Sequence, residues 1–201
     1  MFDARLRPLI DPPLNRMGAA IARAGVSADH LTITGGAVGV AAGLAIAAGN
    51  FTLGLALILA SRLLDGLDGA VARATRITDF GGFLDIVADF FFYVAIPVGF
   101  GFVAPSNAPF ALLLVASFAL TGVSFLSFAA IAARRGLETS AHGRKSFFYS
   151  TGIAEGAETI AAFVLMCLFP AWFREIALVF TALCLLTVVQ RALAAAAMFR
   201  D

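Results

Sequence analysis

The chain has 201 residues, of which 61% are hydrophobic and 13% charged, and its mean hydropathy is +0.94; this balance excludes an ordinary water-soluble domain of such length. A net charge of +1 lacks the concentrated basic surface of nucleic-acid binders and argues against that class of partner. What remains is an all-α polytopic membrane protein with length for about six spans of roughly 20 residues each.

Residues 1–30 mix Leu6, Leu9, Ile10, Leu14, Met17 and Ile21 with Arg5, Arg7, Arg16 and Arg23. This predicts an amphipathic segment on the membrane surface, broken into at least two pieces by Pro8, Pro12 and Pro13; a disordered basic arm is the alternative. No apolar stretch of useful length precedes Leu31, so the first span is expected to direct insertion in place of a cleaved leader.

The transmembrane domain is predicted over 31–201, with spans near 31–49, 51–72, 81–104, 109–133, 147–169 and 172–198. Turn or polar clusters at 49–50, 75–79, 104–109, 134–145 and 169–175 separate them. In the first span Gly35, Gly39 and Gly43 line one helix face, where a neighbouring helix can come close. Cys167 and Cys184 stand alone in apolar runs and read as buried or lipid-facing thiols.

Alternate threading puts Arg5 to Arg23, Arg73, Arg76, Arg134 to Lys145, Arg191 and Arg200 on one side, and Arg174 by itself on the other. Both termini are therefore expected on the cytoplasmic side. Scarce lysine beside abundant arginine and alanine suggests a bacterial source, and hence the inner membrane.

The most charged stretch is LLDGLDGAVARATRITDFGGFLDIVADF, residues 63–90. Asp65 and Asp68 are three apart near the end of the second span; Asp85 and Asp89 are four apart near the start of the third. Each spacing puts both carboxylates on one helix face. If the two helices are antiparallel neighbours, the four carboxylates converge, and so many anions in a partly dehydrated site call for cations. Hard oxygen ligands suit Mg²⁺ or Mn²⁺, and two such ions about 3.5–4 Å apart are a known arrangement for displacement at phosphorus. Gly69, Ala72, Gly81 and Gly82 clear space nearby, and Arg73 offers a fork of donors matched to phosphate. Two other readings stay open: a cation or proton transporter using the same carboxylates, and structural salt bridges with Arg62, Arg73 and Arg76.

Residues 65–89 resemble the signature of the CDP-alcohol phosphatidyltransferase family, D-x2-D-G-x2-A-R-x8-G-x3-D-x3-D. Asp65, Asp68, Gly69, Ala72, Arg73, Gly81, Asp85 and Asp89 match it by type, with seven residues in place of eight between Arg73 and Gly81. The preceding Ser27 to Thr32 (SADHLT) is similar to the family's frequent TPNxLT. The resemblance implies a six-helix membrane enzyme, with its motif at the cytoplasmic face, that transfers a substituted phosphate from a CDP-linked donor to an alcohol and releases CMP. It assigns Asp65, Asp68, Asp85 and Asp89 to two divalent ions, Mg²⁺ or Mn²⁺. It also makes Asp89 the general base and gives Asp68, Gly69, Ala72, Arg73 and Gly81 to the cytidine diphosphate. CDP-diacylglycerol is the expected donor, with a small polar alcohol such as glycerol 3-phosphate, an inositol phosphate or an amino alcohol as acceptor. Transfer from a CDP-amino alcohol to diacylglycerol is the alternative, and a homodimer in the membrane lipid is implied.

Beyond the signature, Asp79 is expected to cap the third span. The run Phe90 to Tyr93 is expected to be an interfacial belt or lipid-facing surface. Arg144 and Lys145 resemble a basic segment that binds a phosphorylated acceptor, or else simply mark the cytoplasmic side. Glu155 and Glu158 would lie about 13–18 Å into a span starting at residue 147, where acids are functional by default. They form an acceptor pocket, or lock spans together with Ser150 or Thr151 as partner. Glutamine at either position should alter acceptor affinity more than donor affinity, measured as separate KM values; equal losses for both substrates would count against a pocket.

Overall fold

The structure, a computed structural model, describes residues 3–136 and 152–199, and all regular structure among them is helical. The α-helices are α1 (Asp3–Arg23), α2 (Ala28–Ala47), α3 (Phe51–Ala74), α4 (Asp79–Val103), α5 (Ala108–Arg134), α6 (Gly156–Leu168) and α7 (Phe173–Phe199). Short 3-10 turns at Pro105–Asn107 and Pro170–Trp172 lead into α5 and α7. Arg144, Lys145, Ser150 and Thr151 lie outside the described residues.

Local chemistry sets the breaks. Ser27 caps α2 by accepting from the His30 amide at 3.3 Å, and Gly49 turns the chain at φ 78° before Asn50 caps α3 through the Leu53 amide. These are ordinary capping and left-handed turn roles. At α4 the cap is Thr78, whose hydroxyl accepts from the Gly81 amide at 3.0 Å. Asp79, expected to be the cap, is instead the first helical residue, where its charge suits the positive end of the helix.

Two further expectations fail locally. Pro8, Pro12 and Pro13 do not divide the N-terminal segment; all three lie within the single helix α1. Proline's fixed φ is compatible with a helix, and α1 is held along α3, where Gly18 lies against the Ala70 backbone and Leu14 fills the space at Gly66. The fifth span also differs, because residues 152–155 are not helical and α6 begins at Gly156. Glu155 is its N-cap, and with Glu158 it closes a capping box. The Glu155 carboxylate also accepts from the Gly152 amide at 2.9 Å, while Thr187 accepts from the amides of Ile153 and Ala154. The two acids thus sit in the first turn of α6, not several turns into a longer helix.

By length and composition α2, α4, α5 with its leading turn, and α7 with its leading turn can each cross a membrane. Helix α3 is long enough, about 36 Å at 1.5 Å per residue, but carries Arg62, Asp65, Asp68 and Arg73 from its midpoint onward. Helix α6 has 13 residues, about 20 Å, short of a full hydrocarbon crossing. Leu44, Phe102 and Leu112 stand at least two-thirds exposed, the outward apolar surface that lipid requires.

Helix α2 is the spine of the bundle. It packs against both α3 and α4, which scarcely touch one another, contrary to the expected side-by-side pair. A side chain at Gly39 would meet Phe92 and Ser61 at 2.9 and 3.0 Å; one at Gly43 would strike the Ala95 carbonyl. Phe92 itself is fully buried and edge-on to Phe163 at 5.5 Å. Of the aromatic run expected at the lipid boundary, Phe91 faces outward, whereas Phe92 belongs to the core. Cys167 and Cys184 are buried. At the opposite end Arg174 donates to Asn107 and Ser106 at 3.2 and 3.0 Å, tying the α4–α5 turn to α7. Gly43→Ala should therefore destabilise the protein by about 1–3 kcal/mol through overpacking, seen as a lower unfolding temperature in detergent.

Candidate active site

Asp65 and Asp68 project from α3 and Asp85 from α4. One carboxylate oxygen of each lies within 4.8 Å of the others. Asp68 is 5% exposed and accepts from the Thr32 hydroxyl of α2 at 2.6 Å. A buried carboxylate must be hydrogen-bonded or neutralised, and Thr32 supplies one fixed donor. Three hard oxygen ligands from two helices fit Mg²⁺ or Mn²⁺, and no soft ligand shares the cluster.

Asp89, one turn further along α4, is not in that group. Its Oδ1 accepts from Arg62 Nη1 at 2.6 Å, and the same nitrogen lies 3.4 Å from Asp65 Oδ1. Arg62 is the near partner that a structural salt-bridge reading anticipates. Arg73, by contrast, donates through Nε and Nη2 to Asn15 of α1 at 3.1 and 2.9 Å.

Among the described residues, two clefts adjoin the aspartates. The first, about 200 Å³, is lined by Asp68, Gly69, Ala72, Arg73, Gly81 and Asp85, with Asp29, Thr32 and Arg76 beside them. A Cβ at Gly69 would find only the Arg73 guanidinium, at 3.2 Å, and one at Gly82 would meet nothing within 4 Å. The glycines thus clear this cleft. The second, about 230 Å³, is lined by Asp89, Tyr93, Thr121, Gly122, Glu155 and Arg191 among others. Arg191 donates to the Thr121 carbonyl at 2.8 Å, and its Nε is buried with no hydrogen-bond partner among the described residues. Glu155 reaches this cleft while capping α6; Glu158 does not line it.

The structure therefore brings Asp68, Gly69, Ala72, Arg73, Gly81 and Asp85 to one cleft and Asp89 and Glu155 to another, with Asp65 between them. Thr32, Arg62 and Arg191 escaped the sequence reading as site residues. Arg62 lies three before Asp65, a same-face spacing, and Arg191 is a charge within an apolar run, itself a signal of function at membrane depth. Thr32 ends the SADHLT segment that resembles the family's TPNxLT, but only the crossing of α2 over α3 brings it to Asp68.

A carboxylate cluster with a cleft on either side, set in a helical bundle, is an arrangement that metal-assisted group transfer can use. A family model for CDP-alcohol phosphatidyltransferase matches residues 26–199, and the chain belongs to that family, whose enzymes depend on divalent metal. The chain is accordingly an enzyme, and the transporter alternative falls away. It is 47% identical over 192 residues to the inner membrane protein YnjF of Escherichia coli K12, covering 95% of this chain and 93% of that one. It is 34% identical over 197 residues to archaetidylinositol phosphate synthase of Methanothermobacter thermautotrophicus, covering 94% and 90%. The fold is shared with Mycobacterium tuberculosis phosphatidylinositol phosphate synthase (PgsA1). Its complex with manganese and citrate aligns at a TM-score of 0.65 and 22% identity, over 90% of this chain and 88% of that one. Its form with CDP-DAG bound aligns at 0.62 and 21%, over 91% and 93%.

Because Thr32 orients Asp68 from outside the ligand set, Thr32→Val should weaken Mn²⁺ binding about tenfold, measured by calorimetry on the detergent-solubilised protein. Unchanged affinity would remove Thr32 from the site.

Proposed function

We propose that this enzyme transfers a phosphatidyl group from CDP-diacylglycerol to a small polyol bearing an anionic group, an inositol phosphate being the leading candidate. The observation that carries this reading is the pair of clefts meeting at one carboxylate cluster, a nucleotide side and an acceptor side. The manganese and CDP-DAG complexes of PgsA1, and the acceptor in the names of both synthases, support it.

Asp65, Asp68 and Asp85 would hold the metal, with Asp89 at its acceptor-side edge. A metal held there would supply charge neutralisation for the diphosphate and for the leaving CMP. On the first side Gly69, Ala72 and Gly81 leave room for the cytidine diphosphate, and Arg73 exchanges its Asn15 contact for a phosphate oxygen. On the second side the acceptor enters between α4, α5, α6 and α7. Its hydroxyl loses a proton to Asp89, and its oxygen bonds to the phosphorus carrying diacylglycerol. The bond from that phosphorus to the CMP oxygen then breaks. Arg191 attracts the anionic end of the acceptor, and Glu155 accepts from its other hydroxyls; Arg144 and Lys145 could add charge from the cytoplasmic side. The acyl chains stay in lipid, in the inner membrane of a bacterial cell, with both termini and the site facing the cytoplasm and the chain paired as a homodimer.

The deciding experiment is CMP release by protein in nanodiscs, given CDP-diacylglycerol, Mg²⁺ or Mn²⁺, and separately inositol phosphate, glycerol 3-phosphate, serine or choline. Release should require one acceptor, stop on chelation with EDTA, and fall about 10²–10⁴-fold in Asp89→Asn, the range of lost general-base catalysis. Release only from CDP-choline with diacylglycerol would reverse donor and acceptor. Arg191→Gln should raise the acceptor KM at least tenfold with the donor KM unchanged, since a charged contact is worth about 1.5–3 kcal/mol.

A further inference from the structure

We infer that Arg62 is a positioning residue for the transfer reaction, a buried guanidinium that fixes the Asp89 carboxylate at the edge of the acceptor cleft. The inference rests on the proposed role of Asp89 as the base. Arg62 stands on a helix otherwise apolar on its first half, and its side chain is 11% exposed. A charge so placed is costly unless paired; its two terminal nitrogens and its face are held, while Nε is buried with no hydrogen-bond partner among the described residues. Nη1 donates to Asp89 at 2.6 Å, and Nη2 donates to the Ser61 hydroxyl at 3.2 Å. Ser61 in turn donates to the Gly35 carbonyl at 2.8 Å. The hydroxyl proton is thereby spent on the backbone, so its lone pair must face the guanidinium. The Phe92 ring lies 3.9 Å beneath the guanidinium carbon, within cation–π range, and Gly39 leaves the room that both Phe92 and Ser61 occupy.

The arrangement divides the four acids. Asp68 and Asp85 line the first cleft, whereas Arg62 holds Asp89 beside the second and spans back toward Asp65. Arg62 engages Oδ1 of Asp89, which leaves Oδ2 as the oxygen to receive the acceptor proton. A guanidinium keeps its own proton, so it orients the base without competing as an acid. Helix α4 is held in register by α2, through Gly36 against Ala88; Arg62 is the tie from α3 that fixes the Asp89 carboxylate itself.

The test compares wild type, Arg62→Gln and Arg62→Lys in nanodiscs. It reads kcat, the donor KM, and Mn²⁺ affinity by electron paramagnetic resonance. Arg62→Gln should lower kcat about 10–100-fold, as expected for an outer-shell orienting group, with donor KM and Mn²⁺ affinity within about twofold of wild type. Arg62→Lys should recover part of that loss, because one ammonium retains the charge but not the reach to Ser61 and Asp89 together. If Arg62→Gln does not fold, Arg62→Lys decides alone: kcat lowered at unchanged Mn²⁺ affinity supports the role, and wild-type kcat overturns it. An active wild type with undiminished kcat in Arg62→Gln overturns the inference alone, as does parallel loss of kcat, donor KM and Mn²⁺ affinity, which marks a purely structural tie. A wild type that releases no CMP with any acceptor overturns the transfer reading itself, and the inference with it.

Discussion

Helices α3 and α4 can approach the same point only because α2, lying across both, presents glycine where each comes nearest. Lipid tails are as apolar as leucine, so helices in a bilayer associate through close surface fit more than through expulsion of water. Gly35 sits against Leu64 of α3, Gly36 against Ala88 of α4, and Gly43 against the Ala95 backbone of α4. A side chain at any of these would push one carboxylate-bearing helix outward. Because the contact runs through α2, the first cleft opens where α2, α3 and α4 meet, while the second lies on the far side of α4, against α5, α6 and α7.

That geometry also explains how a membrane protein tolerates the four aspartates Asp65, Asp68, Asp85 and Asp89 around one point. Asp68 is buried but hydrogen-bonded to Thr32, and Asp89 is paired with Arg62 over an aromatic face. Asp85 is exposed and Asp65 half-buried, so they can meet a hydrated cation. Each acid thus has a different answer to the same desolvation cost, and the answers face different clefts. Polar groups at the other end serve a plainer purpose: Arg174, Asn107 and Ser106 fasten a turn.

Much of this was legible in the chain. Breaks at Gly49-Asn50, around Thr78 and at the Pro105 and Pro170 turns follow from local backbone chemistry, which acts over three or four residues and needs no partner. The glycine face of α2 and the aspartate spacings were equally local. The misses share the opposite trait. Three prolines suggested a broken segment, yet α1 is continuous where α3 supports it. Glu155 and Glu158, read as acids deep in a long span, are the cap of a helix that starts at Gly156, because Thr187 of α7 and Glu155 itself satisfy the amides that precede it. Phe90 to Phe92 looked uniform in sequence, but only the position of α2 decides that Phe92 is core while Phe91 meets lipid.

The sequence by itself therefore determined the membrane class, the main helix breaks, the family and the acids able to bind metal, since these depend on composition, short-range capping and a fixed spacing along two helices. Tertiary structure decided which cleft each acid faces. Asp68 and Asp85 line the cleft where α2, α3 and α4 meet, and Asp89 the one against α5, α6 and α7. Thr32, Arg62 and Arg191 reach the site from three different helices, a convergence that no periodicity within one helix can encode.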